Sequence, residues 1–165
     1  TTLAYSGKEG FEAMAFIHQL IFQSNNLKYI SMKQYISDLA GKMMDSYRIR
    51  KSSIQLREHI EDIYFDIDKT MPIALIVNEI LSNMFKYAFK DNANGTIEIK
   101  LQQDDANKTH LMVADDGNGF PENVDPEQSK SLGLYLIKNF ARRQLKGELY
   151  ITSQPGKGVK YHIIF

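Results

Sequence analysis

Glu79, Asn83 and Lys86 stand at i, i+4 and i+7, which puts a carboxylate, an amide and an ammonium on one face of a helix. Tyr87 follows one turn after Asn83. Such a line suits a metal-bound phosphate. Mg²⁺ keeps most of its waters, so one amide oxygen is enough to hold it. An ammonium neutralises phosphate oxygens, and a carboxylate takes or orients a proton. A solvated outer face would carry the same charges, and the stripe alone does not decide between the two. Two glycine-bearing segments add to it. Asp115-Asp116-Gly117-Asn118-Gly119 leaves a strand with an acid and two spaced glycines. A carboxylate there accepts from an exocyclic amine such as that of adenine, and glycine lets a ligand approach the backbone. A tight acidic turn is the plain alternative. Ser131-Leu132-Gly133-Leu134 opens a helix, whose free backbone N–H groups favour phosphate.

Other phosphate and metal motifs fail. Gly7-Lys8 is followed by Glu9 and has no upstream glycine at P-loop spacing, and no strand runs into G-x-G-x-x-G. Asp116-Gly117-Asn118-Gly119 resembles the middle of a calcium loop, but in that register the first ligand falls on Ala114 and the last on Asp125 rather than Glu. A nucleotide site here needs a different architecture.

The elements that would position these residues follow from periodicity. Phe11, Met14, His18, Ile21 and Phe22 recur at helical spacing over residues 10–23, and Ser24-Asn25-Asn26 breaks that helix. Ser31 and Gln34 have capping-box spacing for a second helix to about Tyr47. Ile54 and Leu56, then Ile63, Phe65 and Ile67, alternate as strands do. A helix is expected over residues 72–89, with Pro72 in its first turn. Strands are expected around Ile97, Ile99 and Leu101 and over residues 110–115. Residues 116–131 form a long functional loop, residues 132–145 a helix ended by Gly147, and residues 148–165 a hairpin turning at Pro155-Gly156-Lys157-Gly158. Short turns between neighbouring strands predict an α+β fold. Its sheet is mixed and mostly antiparallel, and helices cover one face in a two-layer sandwich.

Composition is that of an ordinary globular chain: 165 residues, 43% hydrophobic and 24% charged. Lys plus Arg and Asp plus Glu each number 20, so nothing marks a nucleic-acid partner. The absence of cysteine excludes disulfides, thiolate catalysis and Cys-ligated zinc, and it is compatible with the cytoplasm. No signal peptide or membrane-length apolar run is visible. An opening Thr1 in place of Met is expected of an excised fragment, whose parent can carry further features such as a membrane anchor.

Together the motifs resemble the ATP-binding fold shared by histidine kinases, gyrase B, Hsp90 and MutL. Glu79-x-x-x-Asn83-x-x-Lys86-Tyr87 looks like the N box. Asp115-x-Gly117-x-Gly119 looks like the first glycine box, Ser131-Leu132-Gly133-Leu134 like the second, and Gly156-Lys157-Gly158 stands at the last glycine turn. All four occur in family order. The stretches 78–89 and 131–137 look most similar to the short-lid histidine kinase branch.

The resemblance implies a Bergerat-type domain over residues 28–165, with residues 1–27 ending a dimerisation hairpin. It implies ATP and Mg²⁺ as cofactors. Asp115 would bind the adenine amino group and Asn83 the metal. Glu79 would orient or activate the acceptor, Lys86 would contact phosphate, and Tyr87 would line the nucleotide site. Gly117 and Gly119 would shape the pocket. Gly133, with Ser131, Leu132 and Leu134 beside it, would approach the phosphates, and residues 121–130 would form the lid. The implied partners are a histidine-bearing dimerisation domain, a response-regulator receiver domain and a second copy in a full-length homodimer. Two departures stand out: Ser131 replaces a glycine common in relatives, and no acceptor-histidine motif is present. His59, His110 and His162 fall in expected strands, and His18 is followed by Gln19 rather than an acid or Arg. The acceptor is therefore expected outside this chain. A serine kinase of the same fold that restrains a transcription factor, or a nucleotide-binding module without transfer activity, would carry the same boxes.

Overall fold

The structure is a computed structural model, and it describes residues 29–47, 49, 53–89 and 94–165, with Ala15 and Gln19 before them. The helix expected over residues 10–23 lies outside the described residues, apart from Ala15 and Gln19, both helical and exposed. In chain order the elements are β1 (Ile30–Ser31), α1 (Met32–Ser46), β2 (Ile54–Ile60), β3 (Tyr64–Phe65) and α2 (Ile67–Asn83). Next come β4 (Gly95–Gln103), β5 (Thr109–Asp115), α3 (Leu132–Asn139), β6 (Glu148–Ser153) and β7 (Val159–Ile164). Single π turns extend α2 (Met84–Ala88) and α3 (Phe140–Gln144).

Five strands form one sheet in the order β2-β4-β5-β7-β6. β2 and β4 run parallel, because α2 carries the chain back between them, and every other pair is antiparallel. β1 and β3 make a separate two-stranded pair. The sheet is thus mixed and mostly antiparallel, as the turn pattern predicts.

Period-2 alternation decides which face is covered. Ile97, Ile99, Leu101, Leu111, Val113 and Ile163 are fully buried on the inner face. Register aligns them in rows, Ile99 with Val113 and Leu101 with Leu111, and Val113 in turn with Tyr161. α2 lies over these rows with Ile73, Ile76, Val77, Ile80 and Leu81 at 0% exposure, and it packs against both α1 and α3. The intervening residues face outward, and among them His110 and His162 lie 3.1 Å apart, with Asp104 on the far side of the His110 ring. The strand placement expected for His59, His110 and His162 holds.

Helix boundaries differ from the periodicity in three ways. Ile67 is not a strand residue. Asp66 caps α2 by accepting from the Lys69 N–H at 3.1 Å, so the helix starts five residues before Pro72. Pro72 therefore sits inside the helix and removes the bond to the Asp68 carbonyl. At the other end, an i→i+5 turn replaces regular α winding after Asn83. Third, the chain leaves α3 through Lys146, which takes φ 54°, rather than through Gly147. Gly147 instead lies against the Ile164 carbonyl, where a Cβ would sit at 2.5 Å. Ser31 caps α1 as its spacing predicts, although the Gln34 side chain turns to Asp38 instead of closing the box.

Ile99 lies at the centre of the inner face, and truncating it removes contacts on both sides of the interface. Ile99→Ala is expected to lower the unfolding free energy by about 2–5 kcal/mol in urea titrations. A loss below ~1 kcal/mol would contradict this packing.

Candidate nucleotide site

Asp115 ends β5 on the inner face, in register with Ile97, and is 8% exposed. Its Oδ1 accepts from the Gly117 N–H at 2.9 Å, and the Val159 N–H also bonds the carboxylate. Its buried Oδ2 has no partner among the described residues. Burial pushes the carboxyl above the usual range. The two backbone bonds oppose that shift, and neighbouring Asp116 adds to it. An orphaned acceptor of this kind, at the end of a central strand, is what an incoming N–H donor would satisfy.

The backbone closes round this acid. Gly158 takes φ 82° and runs so close to the Asp115 carbonyl that any Cβ would overlap it. Gly117 lies against Ala88 at the end of the α2 π turn, and the Asn118 N–H donates to the Ala88 carbonyl at 3.0 Å. Gly119 passes over Gln154, and Gly156 donates to the Asn118 carbonyl at 2.7 Å. The first glycine box is thereby clamped between α2 and the β6–β7 turn.

The second cluster lies where α3 begins. Ser131 caps α3 by accepting from the Leu134 N–H at 3.4 Å. Leu134 then turns into the core, while Leu132 stays half exposed. Gly133 passes directly over the polar line of α2. A Cβ there would sit 3.2 Å from Glu79 Oε2 and 3.4 and 3.5 Å from the two amide atoms of Asn83. Glu79, Asn83 and Gly133 thus form one ledge, and the open N–H groups of the first turn of α3 border it.

Tyr161 lies inward beside these groups. It is 2% exposed, and burial, then the nearby Asp115 charge, push its phenol up, while a side-chain hydrogen bond with Asn83 opposes that shift. Sequence reading overlooked it. The signal was present, because alternation turns Val159, Tyr161 and Ile163 inward, and a buried tyrosine hydroxyl requires a partner.

Lys86 and Tyr87 do not continue the line in simple helical register. They fall in the π turn, where the winding widens. The Lys86 ammonium lies 5.8 Å from the centre of the Tyr47 ring, at the end of α1, and Tyr87 is exposed. Tyr47 is itself held by a 2.7 Å hydrogen bond to Ser82. Within residues 121–130, Glu127 ties the loop to α3 and its π turn. It pairs with Arg142 at 2.8 Å, and its carbonyl accepts from Lys138. A cleft of about 910 Å³ opens between Phe120 to Pro126 and the β6–β7 hairpin. Asp115 and Val159 line it, but it runs out over Ala114 and Lys160 on the outer face and does not extend to Glu79 or Asn83. The inner-face residues, not this volume, define the candidate site.

The family described as histidine kinase-, DNA gyrase B- and HSP90-like ATPase matches residues 68–165, from the first turn of α2 through β7. The chain belongs to that family. A second family, described simply as histidine kinase, matches residues 8–47. The blue-light-activated histidine kinase 2 of Erythrobacter litoralis is 23% identical over 142 residues, which are 81% of this chain and 40% of that protein. The sensor histidine kinase ComP of Bacillus subtilis is 36% identical over 98 residues, which are 59% of this chain and 12% of that protein. The chain therefore spans less than half the length of these relatives. The solved histidine kinase domain of a blue-light-activated histidine kinase from Erythrobacter litoralis superposes with a TM-score of 0.85 at 23% identity, covering 96% of this chain and 73% of that one. What is described here is an ATPase domain of the histidine kinase type. Among its described residues no helix is long and apolar enough to cross a membrane.

The raised carboxyl of Asp115 makes a prediction for the free domain. Between the unfolded value near pH 4 and the higher folded value, the native state holds a proton that the unfolded chain has lost. Stability therefore falls as pH rises through that window and stays lowered at neutral pH. Asp115→Asn keeps an acceptor for the Gly117 N–H and removes the charge. At pH 7 the variant is expected to melt a few degrees above the parent, at about 2–4 °C per kcal/mol, and the gap is expected to vanish below about pH 4. Calorimetric melting across pH 3.5–7 measures it; a variant less stable at pH 7 contradicts the desolvation account.

Proposed function

We propose that this domain binds Mg-ATP across the Asp115 pocket and the Glu79–Asn83–Gly133 ledge, and that it serves as the catalytic part of a two-component sensor histidine kinase. The observation that carries this reading is the ledge itself. The acid, the amide and the glycine come from α2 and α3, and the absence of a side chain at Gly133 leaves the polar atoms of Glu79 and Asn83 within 3.2–3.5 Å of the place a Cβ would take.

In this reading the Asp115 Oδ2, unpartnered and buried, accepts from the adenine amino group. The residues present fit a hydrated divalent ion, since Asn83 offers one amide oxygen with the Glu79 carboxylate beside it and no side chain on Gly133 to cover them. When bound, Mg²⁺ supplies charge neutralisation for the triphosphate. The N–H groups of Leu132 and Gly133 hold phosphate oxygens, and Lys86 swings from the Tyr47 ring to reach them. The acceptor imidazole attacks the γ-phosphorus, the bond to the bridging β-oxygen breaks with its electron pair leaving on ADP, and Glu79 orients or accepts the imidazole proton.

α1 buries Met32, Tyr35, Ile36 and Leu39 in the common core, so we assign residues 28–165 to the ATP-binding body and residues 1–27 to the end of a dimerisation hairpin. The match of residues 8–47 to the histidine kinase family supports a dimerisation segment joined to this body, and we keep the acceptor histidine outside this chain because no acceptor motif surrounds His18. A receiver domain as phosphoryl acceptor, a homodimeric parent and a cytoplasmic site of action follow from the same reading.

Isothermal titration with ATP and Mg²⁺ tests the binding step, and no heat at millimolar nucleotide with the chain folded would sink it. Glu79→Gln is expected to keep nucleotide affinity within about threefold while phosphotransfer in the full-length kinase falls at least about a hundredfold. The label formed should be acid-labile, as phosphohistidine is; an acid-stable label would point to the serine-kinase alternative.

A further inference from the structure

We propose that Tyr47 is a positioning residue for Lys86: its ring holds the ammonium away from the phosphate ledge in the free domain, and nucleotide binding has to draw the ammonium off that ring. The inference rests on the nucleotide reading above and adds to it a residue that belongs to none of the four boxes. Tyr47 ends α1, where its N–H donates to the Met43 carbonyl at 2.9 Å.

Three residues from the end of α2 and its π turn hold this ring. Ser82, Phe85 and Lys86, at i, i+3 and i+4, all meet it. The Tyr47 and Ser82 hydroxyls lie 2.7 Å apart, and Ser82 is 4% exposed. That bond fixes the far end of the ring, because a hydroxyl buried so deeply loses stability without its partner. The Phe85 ring packs on Tyr47 at 5.3 Å, tilted by 44°. The Lys86 ammonium lies 5.8 Å from the Tyr47 ring centre, within the reach of a cation–π contact. The ring has a fixed place, so the ammonium has a preferred one. The π turn sets that place off the line of Glu79 and Asn83. Tyr47 is also the last residue of the stretch 8–47 matched by one family, and Lys86 lies within the stretch 68–165 matched by the other. The contact therefore joins the two.

One charge thus has two places to go. Phosphate oxygens offer the ammonium a charge-assisted bond, which is the stronger of the two. Lys86 is half-buried on a flexible four-carbon stem, so its head can change partners while the backbone stays. The contact with the ring must be given up first, and this weakens nucleotide binding by the worth of that contact.

Tyr47→Leu keeps an apolar side chain between α1 and α2 and removes the ring face. Its Mg-ATP dissociation constant, read by titration calorimetry, is expected to fall about 2–5-fold, the factor that a cation–π contact at an accessible site carries. Tyr47→Phe keeps the face and loses only the hydroxyl, and it is expected to stay within about 1.5-fold of the parent. On a Lys86→Met background Tyr47→Leu is expected to add nothing, because the charge that the ring held is gone. An unchanged or raised constant in folded Y47L, an equal fall in Y47F, or an equal fall without Lys86 overturns the proposal while leaving the nucleotide site standing. Wild-type protein that binds no Mg-ATP at all removes the nucleotide reading, and the proposal with it. Should Y47L fail to fold, wild-type NMR decides. The Lys86 ε-CH₂ signals, assigned by their loss in Lys86→Met, are expected upfield of those of the other lysines, shifted by the ring current, and to move into the common range when Mg-ATP saturates. Signals that begin in the common range, or that stay upfield with nucleotide bound, overturn it.

Discussion

An ionisable acid held at the dry end of a central strand is the constraint around which this domain is arranged. Asp115 completes the inner row that begins with Leu111 and Val113, at a place where the pattern would otherwise supply another aliphatic side chain. Burying a carboxylate with one oxygen unpaired costs stability. The cost is limited by two backbone N–H groups, and the chain must come close to deliver them. That closeness explains the glycines. At Gly158 a left-handed backbone and contact with the Asp115 carbonyl exclude any side chain, and the β6–β7 turn is set by this approach as much as by its own turn chemistry. A buried group that destabilises the free protein is a common feature of functional sites, and it fits the binding role proposed for Asp115.

The second arrangement is the way α2 presents polar atoms while staying buried. Its core face is continuous from Ile73 to Leu81, and Glu79 and Asn83 lie at its margin toward α3. Gly133 lets α3 cross there without covering them. Beyond Asn83 the π turn changes the angular register. Lys86 is carried toward Tyr47 on α1, and the Ala88 carbonyl becomes the acceptor for the loop after β5. A regular α-helix to residue 89 would have kept Lys86 on the Asn83 line but would have moved that carbonyl. The wider turn thus couples the end of α2 to the first glycine box, at the cost of setting the ammonium apart from the ledge.

Much of this was legible in the chain because strands and boxes are written in local spacing. The inner-face alternation of β4, β5 and β7 and the polar loop after Asp115 fixed the two-layer arrangement and the place of the acid. The four boxes in order identified the family. What escaped were features decided by three-dimensional neighbours. Asp66 looked like part of a strand because Phe65 and Ile67 alternate around it, yet its side chain caps α2 and overrides that pattern. The π turn leaves no mark in a periodicity count of five residues. Gly147 resembles a helix stop, but the positive φ falls on Lys146, and the glycine is there for the Ile164 carbonyl.

Tyr161 shows where motif reading runs out. An inward tyrosine between Val159 and Ile163 counts as one more core residue until its hydroxyl is traced to Asn83 and the field of Asp115. A hydroxyl on a ring buried this deep has to find a polar neighbour, so the place of Tyr161 in the core is set by polar as well as apolar contacts, and alternation alone does not distinguish it from the aliphatic residues on either side.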